Sequence, residues 1–213
     1  MGEHSPENFC SLTSLRLHYV DTDSQSIEYF LSNCPSLESL CLNLRNLGNL
    51  KVSTCSLKHL EIFSSRGLQY LEISAMSLVS FMYYGSSGIE MSLKSVPSLV
   101  DLFIGGSCCV DLNRIFPQLS SCLSQLTKLT IDTMDCFCLY DCNVNFPEKF
   151  PQLSNLKELE VLASEHKHQS HLPWIGLIEA CPKLSRLIIK QGVEGSKRTP
   201  QVPQGGGDVW ICC

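Results

Sequence analysis

A chain of 213 residues, 44% apolar and only 17% charged, is long enough to bury a substantial core and has the wrong balance for a disordered segment. Its formal net charge of −5, with lysines and arginines scattered, argues against nucleic-acid binding, which needs a basic stripe. No apolar run approaches the roughly 18–20 residues of a membrane span, and the opening MGEHSPENFCSL lacks the basic and apolar regions of a secretory signal.

In chain order, residues 1–8 read as an N-terminal extension and residues 9–192 as one repeat domain. The first copy is Leu12-x-x-Leu15-x-Leu17, followed by a helical stretch, Ser24–Asn33, with Ile27, Phe30 and Leu31 on one face and Cys34-Pro35 at its end. The pattern recurs at Leu37-x-x-Leu40-x-Leu42, Leu57-x-x-Leu60-x-Ile62, Leu78-x-x-Phe81-x-Tyr83 and Leu99-x-x-Leu102-x-Ile104. Between these lies a weaker set: Leu47-x-x-Leu50-x-Val52, Leu68-x-x-Leu71-x-Ile73 and Ile89-x-x-x-Leu93. A second helix is expected over residues 111–123, with Ile115, Leu119 and Leu123 inward and Pro117 breaking or resetting its first turn. Copies at Leu126-x-x-Leu129-x-Ile131 and Leu156-x-x-Leu159-x-Val161 precede a third helix, residues 172–180, built on Trp174, Ile175, Leu177 and Ile178 and closed by Cys181-Pro182. The last copy is Leu184-x-x-Leu187-x-Ile189, and residues 193–213, with Pro200, Pro203 and three successive glycines, read as a disordered tail.

From residue 12 to residue 184 the first leucines step by 25, 20, 21, 21, 27, 30 and 28, in or near the range of leucine-rich repeats. Each copy ends in alternating aliphatic and polar residues, so a short strand sends one row inward and one outward. One such strand cannot bury its apolar row alone; stacking successive turns builds a shared core. The expected fold is therefore α/β, an open leucine-rich-repeat solenoid with eight parallel concave strands. The weaker copies are too closely spaced to be full turns and imply extra strands on the convex side of the middle repeats. Helices belong outside the longer end repeats. Neither end carries a polar cap of any strength, which predicts marginal stability or association through an open end.

Outward side chains fall two, four and six residues after each first leucine. Those positions gather Phe63, Met82, Tyr84 and Phe103 at the centre of the concave face, with His59, Glu61, Asp101, Asp132 and Glu158 around them. An apolar aromatic centre with a polar rim is the anatomy of a protein-binding surface, and the acidic surround points to a basic partner. The place eight residues after each first leucine, which often holds an asparagine or cysteine that caps the loop, holds Val20, Arg45, Ser65, Ser86, Ser107, Met134, Ser164 and Gly192. Four serines there are able to bond loop backbone.

Thirteen cysteines invite a disulfide reading. Yet Cys34 and Cys181, each before a proline at a helix end, suit buried free thiols, and with no Asn-x-Ser/Thr sequon present the chain reads as intracellular, cytoplasmic or nuclear. Cys136, Cys138 and Cys142, and His166, His168 and His171, lack the paired short gaps of a zinc site, so no metal and no cofactor is expected. The terminal Cys212-Cys213 reads as a casual end rather than a prenylation signal, and no nucleophile, phosphate-cradling or metalloprotease motif occurs. An enzyme is not expected.

The stretches FLSNCPSLESL (residues 30–40) and LIEACPKL (177–184) resemble the helix-Cys-Pro-x-Leu joints of plant F-box leucine-rich-repeat proteins of the FBD type. SLKHLEI (56–62), GLQYLEI (67–73) and LVSFMYYG (78–85) are similar to the middle of those proteins, and the likeness spans about residues 9–192. The resemblance implies the substrate-recognition arm of a Skp–cullin–F-box ubiquitin ligase, whose F-box binds a Skp-type adaptor while the repeats hold the protein to be ubiquitinated. No F-box-like segment, with Leu-Pro near its start and Trp near its end, precedes the repeats. The chain is thus expected to be a truncated member, a fragment or a product of alternative gene modelling, and to meet the adaptor only in a longer form that carries the F-box. The alternative is a recognition module of an immune receptor or signalling scaffold unrelated to ubiquitin.

Overall fold

The computed structural model describes residues 11–20, 22–44, 47–64, 67–134, 144–164, 172–192 and 210–211. Chain order is β1 (Ser14–His18), α1 (Ser24–Asn33), β2 (Ser39–Leu44), β3 (Asn49–Thr54), β4 (His59–Ser64), β5 (Tyr70–Ala75), β6 (Ser80–Gly85), β7 (Glu90–Ser95) and β8 (Asp101–Gly105). A 3-10 turn (Ser107–Val110), α2 (Leu112–Gln118), β9 (Lys128–Asp132), β10 (Glu158–Ser164), α3 (Leu172–Glu179), β11 (Arg186–Gly192) and β12 (Trp210–Ile211) follow.

All eight main copies of the repeat become strands of one parallel sheet, in the order β11-β10-β9-β8-β6-β4-β2-β1-β12. Register is unbroken: Leu15 stands beside Leu40, and the row continues through Leu60, Phe81, Leu102, Leu129, Leu159 and Leu187. With side-chain period two, a one-residue slip would turn this row to solvent, so the buried leucines themselves fix the pairing. The weaker copies form a separate parallel sheet, β3-β5-β7, on the other side of the same core, as their spacing predicts. Leu50, Val52, Leu71, Ile73, Met91 and Leu93 enter that core from the convex side. β12 pairs with Arg16 and Leu17 of β1 and falls within the stretch expected to be a tail; the rest of residues 193–213 lies outside the described residues.

Helices sit where the longer turns place them. Asp23 caps α1, accepting from the Ser26 amide at 2.7 Å, and Ile27 and Leu31 bury its inner face. Over residues 111–123 the helix is shorter than the apolar spacing suggests: α2 stops at Gln118, with Pro117 in its last turn rather than its first. Leu119 and Leu123 are buried nonetheless, from turns beyond the helix. On α3, Trp174 and Leu177 are buried but Ile175 points outward. Phe116 meets Phe150 edge-on with ring centroids 5.3 Å apart, and Phe146 meets Trp174 at 4.9 Å, filling the long turn between α2 and α3.

Neighbouring strands lie about 4.8 Å apart while packed helices need about 8–10 Å, so turns with a helix outside bend the stack toward the large sheet. That makes the outer face of the nine-stranded sheet concave.

The convex sheet has its own ties. Glu72 on β5 accepts from Lys94 at 2.6 Å, lies 3.3 Å from Lys51, and accepts from the Tyr70 hydroxyl at 3.0 Å. The Lys94 bond, then the Tyr70 bond, hold the Glu72 carboxyl at about 2 instead of 4.5. A depressed carboxyl stabilises the fold in full above its unfolded value and loses that contribution as pH falls through the folded one. Urea midpoints of wild type and Glu72→Gln are therefore expected to differ by a constant amount from pH 5 to 7 and to converge between pH 4.5 and 2. A gap that stays constant down to pH 2 would contradict this.

Next along the convex side, residues of the following turn occupy the outer edge of β7. Gln118 donates to the Ile89 carbonyl and accepts from the Met91 amide, Ser121 donates to Leu93 at 2.7 Å, and Gln125 donates to Val96. Polar side chains thus close an edge that would otherwise be open to another strand.

Candidate concave binding face

Alternation along each strand puts every expected site residue on the concave face: His59, Glu61 and Phe63 on β4, Met82 and Tyr84 on β6, Asp101 and Phe103 on β8, Asp132 on β9 and Glu158 on β10. His59 is exposed and the others are half-buried. Parallel register sets Glu61, Met82 and Phe103 in one row across the sheet and Phe63 beside Tyr84 in the next.

Three of the rings form a ladder. Phe63 and Tyr84 have centroids 6.5 Å apart with planes tilted by 39°, and Tyr84 and Phe103 repeat the spacing at 34°. The second step is diagonal, because the place beside Tyr84 on β8 is Gly105. A β-carbon there would come within 2.7 Å of both the Tyr84 and the Phe103 rings. Glycine lets the two rings close over the backbone. Sequence reading did not single out Gly105, although its place in the outward column beside Tyr84 was the available signal.

The acidic surround is smaller than the residue list suggests. Asp101 accepts from Lys128 at 3.1 Å, and Glu158 lies 3.8 Å from Arg186. Glu160 accepts from Lys190 at 2.6 Å. Asp132 accepts from the Met134 amide at 2.9 Å and so serves the turn after β9. His59 shares a 2.8 Å hydrogen bond with Ser80. Among the described residues, Glu61 is left as a carboxylate on this face with no cation partner, set between Met82 and Cys41. What the face offers is an apolar, aromatic centre with the Glu61 carboxylate beside it.

Elsewhere the polar chemistry is sparse. None of the seven described cysteines is in a disulfide. Burial pushes the Cys122 thiol up to about 12 and that of Cys181 up to about 11, and each donates to a helix or turn carbonyl. Such thiols fill space and are poor nucleophiles. Of the four loop serines, Ser107 accepts from the Ser87 amide at 3.2 Å and so links successive turns. No three His, Cys, Asp or Glu residues stand together to hold a metal among the described residues. The candidate ligands Cys136, Cys138, Cys142, His166, His168 and His171 lie outside them. No described helix is long and apolar enough to cross a membrane.

A family model described as At1g61320/AtMIF1, LRR domain, matches residues 4–202. No curated protein and no solved structure matches the chain.

Proposed function

The chain belongs to the At1g61320/AtMIF1 leucine-rich-repeat domain family, and from that premise we propose that it is a recognition module, not an enzyme, that holds a protein partner against its concave face. The observation that carries this reading is the Phe63–Tyr84–Phe103 ladder. Half-buried rings grouped on a sheet face are the kind of anchor that supplies most of the energy of a protein interface. The partner inserts an apolar group among the rings and brings a basic group to Glu61.

The finer reading is that this is the substrate-holding arm of an F-box-type ubiquitin ligase, active in the cytoplasm or nucleus. Its support is the resemblance at the two helix-Cys-Pro joints and, for a reducing compartment, the buried cysteines that stand outside any disulfide. In that reading a Skp-type adaptor binds only a form that also carries an F-box.

The test is comparative affinity isolation with tagged wild type, Tyr84→Ala and the convex control Lys51→Ala. A genuine partner is retained by wild type and control and lost by Tyr84→Ala, and with the purified partner the loss should be on the order of tenfold or more in Kd. Equal retention by all three would remove the concave face as the site.

A further inference from the structure

The last turn of the solenoid departs from all those before it. From β1 to β10 the two core-facing side chains of each concave strand are at most 4% exposed, whereas on β11 Leu187 is 42% and Ile189 49% exposed. Among the described residues β11 is the terminal strand of the sheet and is bonded to β10 alone. Unlike β7, its outer edge receives no hydrogen bond from any described residue. The charges that would guard such an edge are engaged within the chain, Arg186 by Glu158 and Lys190 by Glu160.

We propose that β11 is where two copies of this chain join, the strands running antiparallel about a two-fold axis at Ile188. The strand is palindromic in its chemistry: Arg186, Leu187, Ile188, Ile189 and Lys190 read cation, three apolar residues, cation in either direction. An isologous contact requires this kind of self-complementarity. Centred on Ile188, the pairing sets Leu187 opposite the second copy's Ile189, and Ile189 opposite its Leu187. Both exposed apolar pairs are thereby covered and two nine-stranded sheets become one. Arg186 falls opposite the second copy's Lys190, but each cation keeps its own carboxylate, so no uncompensated like charge faces another across the seam.

The opposite end of the solenoid supplies no alternative. Leu15 and Leu17 are buried, and β1 already carries β12 on its outer edge. Head-to-tail addition, which would build a filament, lacks its second half, and the assembly closes at two copies.

Sedimentation equilibrium of the full chain under reducing conditions tests this. The expected result is an equilibrium between the 23.7 kDa monomer and a species of twice that mass. Ile189→Lys is expected to weaken the association at least about tenfold, a hot-spot loss. Ile189 is half exposed in the single chain, so lysine there keeps the monomer's circular dichroism and lowers its melting only slightly. Amide exchange of β11 should slow as the protein concentration rises. A monomer at every concentration, a dimer indifferent to Ile189→Lys, or species that grow beyond two copies would each overturn the proposal. So would β11 amides protected at all concentrations in a monomer, which would mean that the chain's own later residues cover the strand.

Discussion

Leu102→Ala is expected to destabilise the protein by about 2–5 kcal/mol, read as a shift of the urea unfolding transition. Leu102 stands in the middle of the inward row, fully buried, between Phe81 and Leu129. Its loss removes contacts in its own layer and in both neighbours, because each layer of a solenoid is sealed by the ones beside it. The same substitution at the end of the row sets the scale. Leu187 occupies the equivalent place on β11 but is 42% exposed, so Leu187→Ala in dilute, monomeric protein should cost roughly 1 kcal/mol or less. Equal losses at the two positions would show that the row is not one stacked core, and the assignment of the fold would fail with it.

The second large effect is expected at Gly106. Its φ of 84° and ψ of −166° lie in a region that only glycine occupies without strain, which for another residue costs about 1–3 kcal/mol. Space is short as well: a β-carbon there would meet the Gly85 carbonyl oxygen at 2.7 Å and its amide nitrogen at 2.9 Å, both backbone atoms with nowhere to go. Gly88 separates the two contributions. It shares the positive φ, at 85°, but has open space around it, so Gly88→Ala bears only the conformational cost, about 1–2 kcal/mol. Gly106→Ala should therefore exceed Gly88→Ala in chemical denaturation, because it adds a clash with the Gly85 backbone to the conformational cost. Because Gly85 and Gly106 directly follow Tyr84 and Gly105, the substitution should also spread the ring ladder and weaken partner binding. Identical costs at Gly106 and Gly88 would refute the close approach.

The fold was legible because one physical requirement repeats eight times. Leucines at fixed offsets must share an interior, and that alone places Leu60, Phe81, Leu102 and Leu129 in a single row. The convex strands followed from a length argument, since a turn of about ten residues cannot go out and return. Helix ends were less legible: α2 halts at Gln118, where the bonding tightens as Leu119 donates to Phe116 and Ser120 to Pro117, three residues back instead of four, while Leu119 and Leu123 keep the inward spacing in turns that periodicity alone cannot tell from helix. On the concave face, position was legible and electrostatics was only half so. Asp101, Lys128, Glu158 and Arg186 are successive members of one outward column and alternate in sign, which foretells their pairing once strand adjacency is considered. Counting carboxylates without that adjacency overstates the negative field. The exposure of Leu187 and Ile189 had no local signal, because their repeat is as regular as the others and what differs is that no described strand lies beyond β11.

The doubling of strands in the middle of the chain bears on how the molecule assembles. Each middle turn closes two hydrogen-bonded ladders, one on either side of the core, whereas an end turn closes one. The entropy of closing a loop of twenty or thirty residues is nearly the same, so the middle turns recover it twice over. Nucleation is therefore expected between β2 and β8, with order spreading outward from there like a zip with a central slider. The turn ending in β11, held from one side only among the described residues, is expected to fray first on warming.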